Sequence, residues 1–512
     1  MAFNSVRKPD RMGRVNTNGE KILEGLDEAQ LTAATSIEGP VRIIAGAGAG
    51  KTRTITRRIA YACATDQWDP MRTLAVTFSV KAATEMRSRL AALGVPMVKA
   101  ATFHSAALHQ LRRVWPDLSD AYFPSIVTDP RQLAMIALTR VSGQAEPDAA
   151  TVRALLAEIN WTKVSLIAPQ DYARVCAATH RQPPAGLEPD AMADVIEAYE
   201  REKTGRNQMD FNDILLMTCH VLERFDPEAS SIRSRIRWIT VDEYQDVSPL
   251  QHRLLNLWMR GRDSLCVVGD PAQTIYSFAG ATSHYLLHFA QEWRRPCTDV
   301  RLDTDYRSTP QIVNYANRVL SASPQARDYL VLHSGRDTGR RMMVTAYDND
   351  EKEATSVARR IAALIDRGVS PNDVAVLMRI NAQGPLIRTA LGKLGIHSRI
   401  RAEYAQTEAT LIDSSSAAAQ AAADDLTARR AGQVSISTIH ASKGLEWKHV
   451  FIIGCSEGLM PFGSPSAGAL LEEERRLFYV AVTRGEDTVD VSFAYGKEAA
   501  SGQRRTPSRF LR

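Results

Sequence analysis

The sequence predicts an α/β fold built on parallel sheets, and three observations predict it. Short apolar runs that suit strands recur at 73–77, 265–269, 374–377 and 451–454, separated by helix-patterned stretches such as KAATEMRSRLAAL at 81–93 and TEATLIDSSSAAAQAAA at 407–423. A β-favouring run, Val41 to Ile44, enters a Gly/Ala loop that opens into a helix-capable stretch at Lys51. A further apolar run at 238–241 ends in Asp242-Glu243. Boundaries drawn this way carry an error of a few residues.

The chain has 512 residues, more than one hydrophobic core of roughly 250–300 residues organises, so several domains are expected. Hydrophobic residues at 44% and charged residues at 24% describe a chain with real cores, and no run approaches the roughly 18 apolar residues of a membrane helix. Residues 1–21 are basic and polar with no apolar segment behind the charges, so no secretory signal is read and a cytoplasmic location is expected. Cys63, Cys176, Cys219, Cys266, Cys297 and Cys455 are scattered singly with no CxxC pair, which suits reduced thiols rather than a zinc site. A net charge of +5 is compatible with a polyanionic partner without selecting one.

Residues 41–52, VRIIAGAGAGKT, read as a strand, a phosphate-binding loop and a helix start. Gly46, Gly48 and Gly50 let backbone N–H groups approach phosphate oxygens, and the helix N-terminus adds a favourable dipole. Lys51 would hold the β- and γ-phosphates of ATP and Thr52 would ligate Mg²⁺. Ala45 occupies the first glycine position of the GxxxxGK[ST] pattern, a departure from it.

WITVDEYQD at 238–246 places two carboxylates at a strand end, the edge where open α/β sheets put their ligands. Asp242 can bind Mg²⁺ directly or through water, and Glu243 can orient and deprotonate an attacking water. Two carboxylates there could instead cap a following helix; pairing with the Lys51 loop favours the catalytic reading.

With those motifs in place, GDPAQTIYSF, DYRSTPQIV, TIHASKGLEW and EEERRLFYVAVTRG complete a pattern that resembles the superfamily 1 DNA helicases of the UvrD/Rep/PcrA type, nearest to an actinobacterial UvrD-like branch. The resemblance runs from Leu26 to Phe493. It implies two RecA-like P-loop motor domains with a helical insertion in the first. It also implies that Gln30 reads adenine, Tyr306 stacks on it, Arg53 helps hold the base and Glu446 lies near the ribose. Gln273 would couple γ-phosphate to the DNA groove, and Arg307 and Arg484 would act as arginine fingers.

The same resemblance implies a single-strand track formed by Phe78, His104, Tyr276, Phe278, Arg379, Asn381, Thr438 and His440, aromatics stacking on bases and polar groups holding the backbone. Val80 replaces the asparagine of the TFTNKAA pattern and Ala279 the arginine of FRGA, so coupling between DNA and the ATP site is expected to differ while hydrolysis survives.

Domain limits implied by the resemblance are 1–104 and 206–297 for the first motor domain, 105–205 for the helical insertion and 298–512 for the second motor domain. Residues 401–433 replace the large second insertion found in longer family members. The basic end SGQRRTPSRFLR reads as a solvated tail with potential phosphate contacts, and leaves no room for a further module. The expected activity is an ATP- and Mg²⁺-dependent 3′→5′ DNA translocase and helicase. Its partners would be single-stranded DNA, 3′-tailed duplex DNA and a repair or replication protein. Two alternatives stay open: a translocase that clears proteins from single strands without productive unwinding, and a non-catalytic DNA-binding or interaction subunit. The intact set Lys51, Thr52, Asp242, Glu243, Arg307 and Arg484 argues against the latter.

Overall fold

The computed structural model describes residues 17–143, 147–401, 432–497 and 504–511. Two six-stranded parallel sheets carry the molecule. The first comprises β1 (Val41–Ala45), β2 (Thr73–Thr77), β3 (Lys99–Thr102), β6 (Trp238–Val241), β7 (Leu265–Gly269) and β8 (Thr298–Leu302), in the order β3-β2-β6-β7-β1-β8. Two short pairs stand apart, β4 (Ser125–Ile126) with β5 (Gln208–Met209) and β9 (Thr304–Asp305) with β10 (His333–Ser334). The second sheet comprises β11 (Met343–Asn349), β12 (Val374–Met378), β13 (Ser398–Arg401), β14 (Val434–Thr438), β15 (Trp447–Ile452) and β16 (Gly485–Gly496), in the order β11-β16-β15-β12-β14-β13.

Strands β2, β7, β12 and β14 are buried along their whole length, which explains their unbroken apolar or small-residue character rather than an alternation. Register aligns their carboxyl ends: Ile44 pairs with Gly269, Ala45 with Leu302 and Val241 with Val267. The phosphate loop, Asp242 and Asp270 therefore leave the first sheet at one edge, as ligand sites of open parallel sheets do. These are two RecA-like domains.

Two assignments differ from the sequence reading. Strand β8, assigned there to the second domain, pairs with β1 and completes the first sheet. Helix Phe103–Leu118, assigned to the insertion from residue 105 on, buries Phe103, Ala107, Leu111 and Val114 in the first-domain core beside Ile239 and Trp258. The insertion's own core is carried by helices Pro130–Ser142, Ala149–Val164, Tyr172–Thr179 and Pro189–Gly205. The replacement segment 401–433, including the helix-patterned stretch at 407–423, lies outside the described residues apart from its ends.

The basic end is docked where described. Phe510 is buried, stacks on Phe478 at 5.7 Å and lies under the Arg475 guanidinium, while Arg505 pairs with Asp350 and Arg509 with Glu457. An apolar anchor and two charge partners distant in sequence, invisible to local composition, convert an expected solvated tail into part of the second core.

A buried charge cluster fixes the insertion to the first domain. Lys163 Nζ lies 2.7 Å from Glu200 and 2.8 Å from Asp213, and Lys203 Nζ lies 2.7 Å from Glu200 and 3.0 Å from Asp210. Burial would raise Asp210, but the two lysines outweigh it and hold its carboxyl below the usual range. Among the described residues Glu200, Asp210 and Asp213 are the carboxylates close enough to share a metal ion, yet the two ammonium groups already fill that role. No helix among the described residues is long and apolar enough to cross a membrane.

Candidate active site

The loop 46–50 turns between β1 and helix Lys51–Ala64, with Gly48 at φ 69° and Gly50 at φ 77°. At Gly48 a Cβ would also stand 1.9 Å from Asp305 Oδ1, so only glycine fits both the conformation and the neighbour. That neighbour belongs to the segment after β8: the Tyr306 N–H donates to Gly48 O, 3.1 Å, and the Arg307 N–H to Asp305 Oδ1, 2.7 Å. Lys51 Nζ donates at 3.3 Å to the carbonyls of Ala45 and Gly46, folded back over the loop.

Asp242 follows β6 and is buried; Glu243 adopts a left-handed conformation, φ 53°, at the start of the turn Tyr244–Asp246. Burial and the adjacent Glu243 push Asp242 up to about 7. Glu243 itself is displaced downward: burial opposes its charge, but Lys51, Lys443, the Gln245 hydrogen bond and Arg484 prevail. The pair thus divides into one carboxyl that resists ionisation without a cation and one that is held ionised. A buried carboxyl in that condition and the Thr52 hydroxyl at the start of the helix after the loop are oxygen donors of the kind Mg²⁺ takes.

A cleft of about 800 Å³ runs between the two domains. Gly46, Gly48, Gly50, Lys51, Thr52, Arg53, Glu243 and Gln273 line it from the first domain, and Arg307, Glu446 and Arg484 from the second. Arg307 forms an ion pair with Glu446 across this wall. The Arg484 guanidinium is buried and donates to Val480 O at 3.0 Å, Leu445 O at 3.1 Å and Thr483 Oγ1 at 3.2 Å. Burial and the neighbouring Arg307 bring it down to about 10, still a cation at neutral pH.

Gln30 and Tyr306 are placed at the margin. The Gln30 side chain is buried and donates to Ala49 O, 3.1 Å, bracing the loop, and Asp27 caps its helix. The half-exposed Tyr306 ring donates its hydroxyl to Asp27, and Arg53 donates to Gly25 O at 2.7 Å.

Four of the eight strand-contact candidates converge. Phe78 stacks on Tyr276 with centroids 5.6 Å apart, Tyr276 and His440 meet Phe278 at 6.0 and 5.9 Å, and Phe278 is 67% exposed. The Tyr276 hydroxyl donates to His440 O across the domain boundary, 3.1 Å. Burial, Arg379 and Lys443 lower His440 to about 4, leaving a neutral ring in this cluster. Thr438 is buried, its Oγ1 accepting from the Ala441 N–H at 3.2 Å. Arg379 closes on Glu474 at 2.6 Å, and Asn381 is exposed nearby in sequence. His104 stands apart, stacked on Phe211 at 3.5 Å and held neutral by burial, which takes it down to about 3.

Residues not singled out in the sequence join the two sites. Lys443 Nζ, from the second domain, reaches Asp246 Oδ2 at 2.5 Å and Gln273 O at 2.6 Å. Gln245 Nε2 donates to Glu243 at 2.5 Å while its Oε1 accepts from the Asp270 N–H at 3.1 Å. Gln273 donates to Asp270, which also accepts from the Tyr479 hydroxyl at 3.3 Å. Arg476 donates to Thr274 O at 2.7 Å, and Glu473 accepts from the Ser277 N–H at 3.1 Å. Segment 270–278, with Gln273 at one end and Tyr276 and Phe278 at the other, is therefore seated on the second-domain helix Ala469–Val482.

The UvrD/REP helicase N-terminal domain family matches residues 26–294, and the UvrD-like helicase C-terminal domain family matches residues 300–405 and 400–495. The ATP-dependent DNA helicase UvrD2 of Mycobacterium tuberculosis (strain ATCC 25618 / H37Rv) is 36% identical over 577 residues, covering 96% of this chain and 82% of that protein. The ATP-dependent DNA helicase PcrA of Bacillus subtilis (strain 168) is 30% identical, covering 75% of this chain and 51% of that protein. The two-domain cleft, the aromatic cluster beside it and these similarities agree: the chain belongs to the UvrD/Rep family of ATP-dependent DNA helicases.

Proposed function

We propose that this helicase steps 3′→5′ along single-stranded DNA by closing its two motor domains on Mg²⁺-ATP, and that movement on single strands is its stronger activity. The observation that carries the reading is the shared cleft, whose walls bring Lys51 and Glu243 opposite Arg307 and Arg484. Lys51 binds phosphate oxygens, Thr52 and Asp242 hold the cation, and Glu243 takes a proton from the attacking water. The cation, when bound, neutralises charge on the phosphates. Arg307 and Arg484 stabilise charge that develops on the transferred phosphoryl group, which requires the second domain to be closed. Lys443 and segment 270–278 then carry closure to Phe278 and His440, whose grip on the bases changes with domain position.

Weak duplex engagement is supported by the shortened segment 401–433. The C-terminal family matches in two pieces that meet at residues 400–405. The alignment with the M. tuberculosis protein spans 577 positions against the 512 residues here, so that relative carries residues with no counterpart in this chain. Fluorescence at the 5′ or 3′ end of single strands of increasing length, measured beside unwinding of a 3′-tailed duplex, tests this reading. Arrival times should lengthen with strand length at the 5′ end, with slower loss of duplex. Length-independent signals at both ends would leave an ATPase without directed movement.

A further inference from the structure

We propose that Arg336 is a positioning residue for ATP hydrolysis, tying together the two chain segments that carry Arg307 and Arg484. The inference rests on the reading that those two arginines act on the transferred phosphoryl group. Arg336 follows β10, outside every motif that marks the nucleotide site, and its side chain does not line the cleft. Its Nη1 donates to Arg307 O at 2.8 Å and to Glu486 O at 3.2 Å, and its Nη2 pairs with Asp487 Oδ1 at 2.8 Å. One planar guanidinium thus grips the backbone of one finger and the residues two and three beyond the other.

The surrounding bonds show what this grip adds. The Arg307 N–H is already fixed on Asp305, so the Arg336 contact holds the other face of the same residue's backbone, while the Arg307 side chain reaches Glu446. Ser334 Oγ donates to Ser308 O at 2.7 Å and accepts from the Arg336 N–H at 3.1 Å, which orients the loop bearing the guanidinium. Ser308 Oγ donates to Gly485 O at 2.8 Å, and the Thr309 N–H to Glu486 O at 3.0 Å, so segments 307–309 and 484–487 run side by side. Those two bonds link the segments beyond the fingers; Arg336 links them at Arg307 itself. An arginine offers a rigid fork of donors for two carbonyls and a carboxylate, which a lysine ammonium on a flexible stem does not reproduce. Misplacing a catalytic group by an ångström can cost about 10²-fold in rate, so a residue that touches no substrate can still set turnover.

The full chain is assayed for Mg²⁺- and DNA-dependent ATP turnover and for equilibrium binding of a fluorescent ATP analogue, as wild type, Arg336→Ala, Arg336→Lys, Arg307→Ala and the Arg336→Ala/Arg307→Ala double variant. Arg336→Ala should lower kcat by about 10–100-fold while analogue affinity stays within about threefold, and Arg336→Lys should not restore it. The double variant should lose less than the product of the two single losses, because both changes remove the Arg307 contribution. A kcat within about twofold of wild type for both Arg336 variants overturns the inference, as does a double-variant loss equal to the product of the single losses. If Arg307→Ala is disabled while Arg336→Ala is not, only the inference fails; if Arg307→Ala turns over normally, the finger reading fails and takes the inference with it. Side-chain exposures of 36% for Arg336 and 35% for Asp487 favour a folded variant, and unchanged melting of Arg336→Lys keeps a kcat loss interpretable.

Discussion

Replacing Glu243 with glutamine is expected to lower ATP turnover by about 10²–10⁴-fold while nucleotide binding is retained. The substitution keeps the size of the side chain and leaves an oxygen for the Gln245 amide, so the turn after β6 is preserved. What disappears is the carboxylate that Lys51, Lys443 and Arg484 help keep ionised against the cost of burial. Binding should survive because Lys51, Thr52 and the loop 46–50 are untouched. Quenched-flow hydrolysis of a single ATP equivalent, beside equilibrium binding of a fluorescent analogue, separates the two effects. Turnover at the wild-type rate would remove Glu243 from the role of general base.

Loss of either arginine should be at least as severe, about 10³–10⁵-fold in kcat, with a smaller effect on nucleotide affinity. Arg307 is only partly exposed, with Glu446 as its ion-pair partner across the wall of the cleft, so Arg307→Ala removes little that holds the fold. Arg484 is different: its guanidinium satisfies two backbone carbonyls in a buried position, and alanine there leaves them unpaired. Arg484→Lys is therefore the cleaner companion, retaining a donor and a charge without the planar fork. Because both residues act only with the domains closed, the double variant should lose less than the sum of the two single free energies. Single-turnover rates for Arg307→Ala, Arg484→Ala and Arg484→Lys check this, and unchanged rates in the first two would show that neither is a finger.

Chemistry carried on short local patterns was legible in the sequence. A strand, a glycine loop and a lysine at a helix start announce a phosphate site wherever they fall, and an apolar run ending in two acids announces the neighbouring strand end. Pairing between distant segments was not legible. Strand β8 reads as the first element after a domain break, yet it hydrogen-bonds to β1, roughly the whole first domain away in sequence. Lys443 and Gln245 both lie inside motifs that were recognised, but their importance depends on partners in other motifs, Asp246 and Gln273 for one and Glu243 and Asp270 for the other. Phe510 shows the same limit: mostly charged and polar neighbours conceal an apolar anchor whose partner, Phe478, is on another helix. His104 and Phe78 belong to the same expected strand track, yet the structure sets one against Phe211 and the other in the aromatic cluster.

One cleft, walled by both motor domains, is expected to hydrolyse ATP under the control of bound single-stranded DNA. Steady-state ATP turnover with Mg²⁺, titrated with single-stranded DNA for the wild-type chain and for Lys51→Ala, tests it most directly. The wild-type rate should rise to a plateau as DNA saturates and fall to background when Mg²⁺ is withdrawn, while Lys51→Ala stays near background throughout. A wild-type rate that is the same with and without DNA, or turnover that persists in Lys51→Ala, would show that this cleft is not a DNA-controlled ATPase.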